Sequence, residues 1–473
     1  MEVMMKRLAR TAPILALAMV LAGCTLLGWY NGGIAIAAPG EEEAYILFAP
    51  LRQTTTYLID LDGNVVHEWE LSGKPGNAVY LLEGGNLLAS YAVTNSSFPA
   101  DGSAGGVELL SWDGNQIWSF EYATSDANSH HDVEILPNGN VLMIAWELKT
   151  QAEALAAGRD PSLLKDGEVW PGHIIEVDPA VGTIVWEWHA WDHLVQNYSP
   201  TKDNYGAVAE HPELIDLNFV SINAADWFHS NAIDYNAELD QIMVSIHSFS
   251  EIWIIDHSTT TAEAAGHTSG NSGMGGDLLY RWGNPKSYDA GTATDQQFFG
   301  QHDAEWIGSG LPGEGNILVF NNGRGRSDGE YSSIVEIETP LNMNGSYSLA
   351  QGSAYGPAEP VWVYTASPRT SLYSQSISGS QRLPSGNTLI CVGDEGRFFE
   401  VTPSGETIWE YVNPLSSHQA VFRCERYEAD SVELAGRDLS GGEPLEGSQT
   451  DEGPPSGQPP TGPPAGQPPS RRP

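Results

Sequence analysis

The 473-residue chain carries 61 acidic against 21 basic residues, a formal net charge of −40. That field repels nucleic acid and anionic membrane surfaces, so neither is expected as a partner, and an anionic substrate must be held by a local cluster of cationic or hydrogen-bonding groups. With 41% hydrophobic and 10% aromatic residues, the chain can bury a large core.

The N-terminus has the layout of an export signal. Lys6, Arg7 and Arg10 form a basic start, and "APILALAMVLAG" follows as an apolar stretch. "LAGC" at 21–24 resembles a bacterial lipobox, with Cys24 as the lipidated residue; cleavage near "AIAA" (35–38) and an uncleaved anchor are the alternatives. All three export the body, first as a periplasmic or cell-envelope lipoprotein, second as a secreted protein. Membrane contact is then through the N-terminal lipid or signal anchor only. Residues 1–38 are read as this segment and a short linker.

From residue 39 two hairpin patterns alternate. The first ends near a Trp. Its copies include "YLIDLDGNVVHEWE" (57–70), "LLSWDGNQIWSFE" (109–121), "IIEVDPAVGTIVWEW" (174–188) and "FFEVTPSGETIWEY" (398–411), with two diverged ones between. Trp69, Trp118, Trp186, Trp282, Trp362 and Trp409 fall near the ends of the second strands. The second pattern includes "HHDVEILPNGNVLMIAW" (130–146), "QHDAEWIGSGLPGEGNILVF" (301–320) and "SGSQRLPSGNTLICV" (378–392). Gly-Asn recurs at its turns, where tight hairpins need positive φ.

One unit is therefore four strands, A to D, with A bearing His and D bearing Trp. The leftover pieces, "YILFAPL" (45–51) with the first Trp hairpin and "AVFRCERY" (420–427), make up one more unit. The predicted fold is all-β: a six-bladed β-propeller over residues 39–429, four antiparallel strands per blade, the ring closed by N- and C-terminal strands sharing one blade. Residues 430–473, rich in Pro and Gly, are expected as a disordered tail. Cys391 and Cys424 fall on adjacent blades, and no disulfide between them is expected.

In a propeller the A strands line the central channel. His131, His229 and His302 open their A strands, level with Asn77 and Ser378, and His418 stands just before the last. Such a cluster admits three chemistries: three imidazoles holding a metal, nucleophile with acid/base partners on an anion, or a structural polar network. Asp132 and Asp303 follow their His directly and are read as supporting the backbone. His67, His189 and His193 follow D strands and His173 opens a C strand; these four are read as surface or hydrogen-bonded residues.

"SHHDVEILPNGNVLMIAWE", "DWFHSNAIDYN", "QHDAEWI…GNILVFNNG", "SGSQRLPSGNTLI" and "RFFEVTPSGETIWEYVNP", in this order, resemble the bacterial PAPS-independent arylsulfotransferase family over about residues 45 to 427. The resemblance implies an exported transferase that moves a sulfuryl group from a phenolic sulfate ester to a phenol, ping-pong, through a sulfohistidine. Small-molecule aryl sulfate and phenol are the implied partners, and no metal or nucleotide cofactor is implied. The nucleophile falls on His302 of "QHD". The supporting "HHD" histidine falls on His131, with His130 as its neighbour, and "HxN" is matched by His229 and Asn231. One position departs: His247 stands where the family carries an Arg, and Arg324 and Arg326 are the candidates to supply that charge. The family's N-terminal β-domain is expected to be absent, since only a few residues separate the signal from the first strand. The alternative function is a non-catalytic exported propeller that binds a ligand or partner.

Overall fold

The computed structural model describes residues 43–446, except 165, 221–223 and 416–418, together with the short strand Ile36–Ala37. Six antiparallel sheets of four main strands stand around an axis as the blades of a β-propeller. Blade 1 takes its inner strand, Val421–Glu428, from the end of the chain and pairs it with Ala44–Pro50, followed by Thr55–Asp60 and Val65–Glu70. Blades 2 to 6 have inner strands Pro75–Leu82, Ala127–Ile135, Ser230–Asn236, His302–Trp306 and Gly379–Arg382. In each of these, chain order runs outward from the axis. Blade 6 gains a fifth, outermost strand from Ile36–Ala37.

Burial follows position in the blade. The second strand of blade 3, Val141–Glu147, is buried throughout, whereas the outer strand Thr183–His189 alternates, as a one-sided strand must. The repeated Trp has a specific duty. Trp69, Trp186, Trp282, Trp362 and Trp409 each donate their indole N–H to the turn between the two outer strands of the next blade: to Ser111 O, Thr259 Oγ1, Pro357 O, Pro403 O and Leu61 O, at 2.9–3.3 Å. Each indole, buried in all but the partly exposed Trp362, thus adds one hydrogen bond worth about 0.5–1.5 kcal/mol across a blade junction. Trp118 is the exception and lies half-exposed, stacked on Phe120.

The inner strands are bulged where they begin. His302 pairs with Phe320 and Ala304 with Val319, which leaves Asp303 extra; Ser230 pairs with Ile246 and Ala232 with Ser245, which leaves Asn231 extra. Blades 1, 2 and 3 carry comparable shifts. A bulge re-aims the side chains beside it.

Residues 430–446 were expected in the tail, but they pack on blades 1 and 2. Leu434 and Leu445 are buried, Val65 N–H donates to Glu443 O, and Arg437 stacks on Trp112 and donates to Gly84 O. A few apolar side chains in a polar stretch suffice for this docking, so the folded body reaches residue 446. Cys391 and Cys424 are free, buried thiols in one apolar cluster. Among the described residues no helix is long and apolar enough to cross a membrane.

Candidate functional site

The starts of the inner strands surround a cavity of about 1110 Å³. His131, His229, His247 and His302 line it together, with Arg52, Lys74 and Arg324 among its walls. The four imidazoles form an arc: ring centroids are 4.7 Å apart for His131 and His229, 5.1 Å for His229 and His247, and 5.5 Å for His247 and His302. Phe422, fully buried, lies under the arc at 6.0 Å from His131 and 6.2 Å from His302. His131, His229 and Asp303 hold left-handed backbone, with φ of 54°, 50° and 53°. Such conformations cost about 1–3 kcal/mol each outside glycine and persist where the surroundings force them.

His302 is held in one tautomer. Its Nδ1 lies 2.8 Å from Asn322 Oδ1. The Asn322 amide nitrogen donates to Ser374 O and Ile377 O at 2.9 and 2.8 Å, so the amide cannot flip. Asn322 Oδ1 is therefore an acceptor, His302 Nδ1 carries the proton, and Nε2 keeps its lone pair. Burial pulls His302 down to about 3, which keeps it neutral and nucleophilic across the neutral range. Asn322 is not among the candidates named from the sequence. Its signal is a second consecutive Asn closing a buried apolar strand.

His229 differs from the other three. Its Nδ1 lies 2.5 Å from Asp226 Oδ2, and Asp226 is held in turn by Trp146 Nε1 and by the His229 backbone N–H. Burial opposes the charged form, but the Asp226 carboxylate overrides it and raises His229. Burial and then the His229 charge drive both His131 and His247 well below the ordinary value. Asp226 thus favours the charged form of His229, and burial together with that charge favours the neutral forms of His131, His247 and His302. Placing a second positive charge among rings about 5 Å apart would be opposed by Coulomb repulsion.

The remaining expected residues separate. Arg324 lines the cavity, whereas Arg326 turns away, bonded to Tyr331 Oη and Ser333 Oγ and stacked on Phe299. His247 occupies the arc, at the position where an Arg was expected. His130 lies behind His131, stacked on Trp146 with ring centroids 4.0 Å apart, its Nδ1 2.8 Å from His131 Nδ1. Asn231 is fully buried and donates to Gln301 O at 2.8 Å, so it braces the start of the His302 strand and is not part of the cavity wall. Cys24 and His418 lie outside the described residues.

Directly below the arc, Arg423 bridges Asp132 at 2.8 Å and Asp303 at 3.0 Å. The two Asp also accept from backbone: Asp132 from Val133 and Ile233, Asp303 from Ser380. Further along the channel stand Glu134, Asp234, Glu305 and Glu425. Burial raises all four, Asp234 to about 6 and Glu425 to about 8.

A family model described as Arylsulfotransferase (ASST) matches residues 41–422. No curated protein matches the chain. Among solved structures, a protein of unknown function from Bacteroides caccae is similar at 13% identity and a TM-score of 0.44, covering 81% of this chain and 98% of that one. A catalytically inactive virginiamycin B lyase from Staphylococcus aureus with quinupristin is similar at 10% identity and a TM-score of 0.35, covering 80% and 87%.

Proposed function

The chain belongs to the arylsulfotransferase family, and from that premise we propose that it transfers a sulfuryl group from an aryl sulfate to a phenol through a covalent intermediate on His302. The observation that carries this reading is the placement of a tautomer-locked His302 and an Asp226-bonded His229 in one cavity.

The sulfate ester is a monoanion, and its charge is met by the His229 imidazolium and by Arg324, the cavity-lining one of the two expected arginines. His302 Nε2 attacks sulfur. The N–S bond forms as the S–O bond to the aryl oxygen breaks, and the leaving phenolate takes the proton of His229. Asn322 Oδ1 accepts from Nδ1–H, so it stabilises the positive charge that grows on the ring as Nε2 becomes sulfonated. In the second half-reaction an acceptor phenol gives its proton to the now neutral His229 and attacks sulfur. The N–S bond breaks and His302 returns to its starting form. His131, held neutral and backed by His130, can donate one hydrogen bond to a sulfuryl oxygen. Positioning and fixed charge supply the catalysis, by analogy with phosphoryl transfer.

The test is incubation with an aryl sulfate and a phenol acceptor, followed by mass analysis of protein quenched with donor alone. The expected result is acceptor sulfation and one sulfo group on the His302 peptide. Turnover without a labelled peptide would overturn the covalent route. Ligand binding with no turnover, unchanged in His302→Ala, would instead assign a binding propeller.

Export through the N-terminal segment, with Cys24 as lipid anchor, belongs to the same proposal. Metabolic labelling with a palmitate analogue, lost in Cys24→Ala, tests it.

A further inference from the structure

Outside the cavity, blade 3 carries a second cluster of imidazole and carboxylate. His173 and His189 are cross-strand partners on its two outer strands, and their rings stack with centroids 4.1 Å apart. Glu187 lies two residues before His189 and so on the same face. His173 Nε2 is 3.2 Å from Glu187 Oε2, and His189 Nε2 is 3.7 Å from the same oxygen. The longer distance is no hydrogen bond. Both approach the spacing of about 3.3–3.4 Å between donor atoms around a tetrahedral ion with bonds of about 2.0–2.1 Å.

The far ring nitrogens are also occupied in the way metal-bound imidazoles require. His189 Nδ1 lies 3.3 Å from Glu147 Oε2, and His173 Nδ1 lies 3.5 Å from the Tyr122 hydroxyl. Partners at Nδ1 fix the ring orientation and leave each Nε2 facing Glu187. Glu147 Oε1 is buried and has no hydrogen-bond partner among the described residues, so it is free to accept from a metal-bound water. Lys149 pairs with Glu147 Oε2 at 2.9 Å and touches none of the three inward atoms. His173 is 2% exposed at its side chain, but His189 and Glu187 are 29% and 33% exposed, which gives an ion a way in.

We propose that His173 Nε2, His189 Nε2 and Glu187 bind one zinc-type divalent cation, with Glu147 and Tyr122 as outer partners and water at the fourth position. Two imidazoles and one carboxylate suit a borderline d-block ion better than calcium or magnesium, which take oxygen ligands. The other comparable trio, His193, His267 and Asp277, is weaker. There His193 Nε2 already faces Ala264 O, and the Nδ1 atoms of His193 and His267 both lie 2.8 Å from Asp277 Oδ1, hydrogen-bond distances shorter than the spacing of donors around a tetrahedral ion. The ion would tie the two outer strands of blade 3 together. Sulfuryl transfer does not depend on it.

The experiment uses the full chain, stripped with a chelator and titrated with Zn²⁺ by equilibrium dialysis and thermal unfolding. One equivalent of Zn²⁺ per chain and a raised unfolding midpoint are expected. His189→Asn or Glu187→Gln should weaken uptake at least about 100-fold, Glu147→Gln about 10–100-fold, and His267→Ala not at all. Because a variant can misfold, Co²⁺ loading of the wild-type protein is the second measurement, with the intense visible bands of four-coordination expected. No stoichiometric uptake, uptake unchanged in His189→Asn and Glu187→Gln, or a weak six-coordinate Co²⁺ spectrum would each overturn the site.

Discussion

Asn322 Oδ1 stands 2.8 Å from His302 Nδ1, and the Asn322 amide hydrogens are both committed to the carbonyls of Ser374 and Ile377. One side chain thereby chooses which nitrogen of the proposed nucleophile is free. Asn322→Leu should lower kcat by about 10–100-fold, the cost of about 1–3 kcal/mol for an unmet buried partner, and leave the donor KM nearly unchanged. Steady-state kinetics with a chromogenic aryl sulfate checks this. An unaltered kcat would remove Asn322 from the mechanism.

The Asp226 carboxylate keeps His229 protonated above its ordinary value, so activity with a poor phenolate leaving group should fall as pH rises through that titration. Asp226→Asn removes the cause of the shift and should move the alkaline limb to lower pH. With a good leaving group, which needs no proton, the limb should flatten. A limb that stays in place in Asp226→Asn would assign the acid elsewhere.

Arg324 lines the cavity, and His247 occupies the place where a cation was expected. Arg324→Ala should raise the donor KM by about 10–100-fold, for loss of a charge-assisted contact of about 1.5–3 kcal/mol. His247→Arg places a permanent charge in the arc and should lower the donor KM. Saturation curves for both variants decide; a donor KM insensitive to either change would mean the sulfate is held by other groups.

Arg423 neutralises Asp132 and Asp303 in the channel. Arg423→Met leaves two buried carboxylates without their partner and should cost about 3–5 kcal/mol, seen as a lower denaturant midpoint. A change below about 1 kcal/mol would show that channel water takes over the role.

Glu425 is raised to about 8 by burial and then by Asp303. A folded state that binds this proton more tightly than the unfolded chain is stabilised at low pH. That stability declines above the unfolded value near 4.5 and is fully lost once pH passes about 8. His302 and His130, lowered to about 3, act in the opposite sense: their contribution is present above the unfolded value of 6.5 and lost as pH falls. Glu425→Gln mimics the protonated carboxyl. It should raise the unfolding temperature at pH 9 relative to wild type and change it little at pH 5. Equal effects at both pH values would show that Glu425 does not titrate in this range.

Strand order, the blade count and the placement of the D-strand Trp were legible in the sequence because they are periodic; the indole hydrogen bond to the next blade was not. A hairpin pattern repeated with Gly-Asn turns writes nearly the same local geometry in successive blades, and the position of Trp at each D strand recurs with it. His131, His229 and His302 were legible for the same reason: they stand at equivalent positions of successive units. Asn322 and Arg326 were not. They lie in one Gly-rich stretch, and only packing decides that Asn322 turns inward to His302 while Arg326 turns to Tyr331.

What the sequence by itself determined is the architecture, the face on which the histidines gather and the family to which they belong, since these rest on local pattern and spacing. The tertiary structure alone decided which imidazole of the arc meets a carboxylate, which tautomer His302 adopts, that Arg423 joins Asp132 across 291 positions, and that His173 and His189 share Glu187. The physical reason is distance. Charge state, tautomer and ligand convergence are set by partners a few ångströms away, and those partners come from separate strands that meet only in the folded ring.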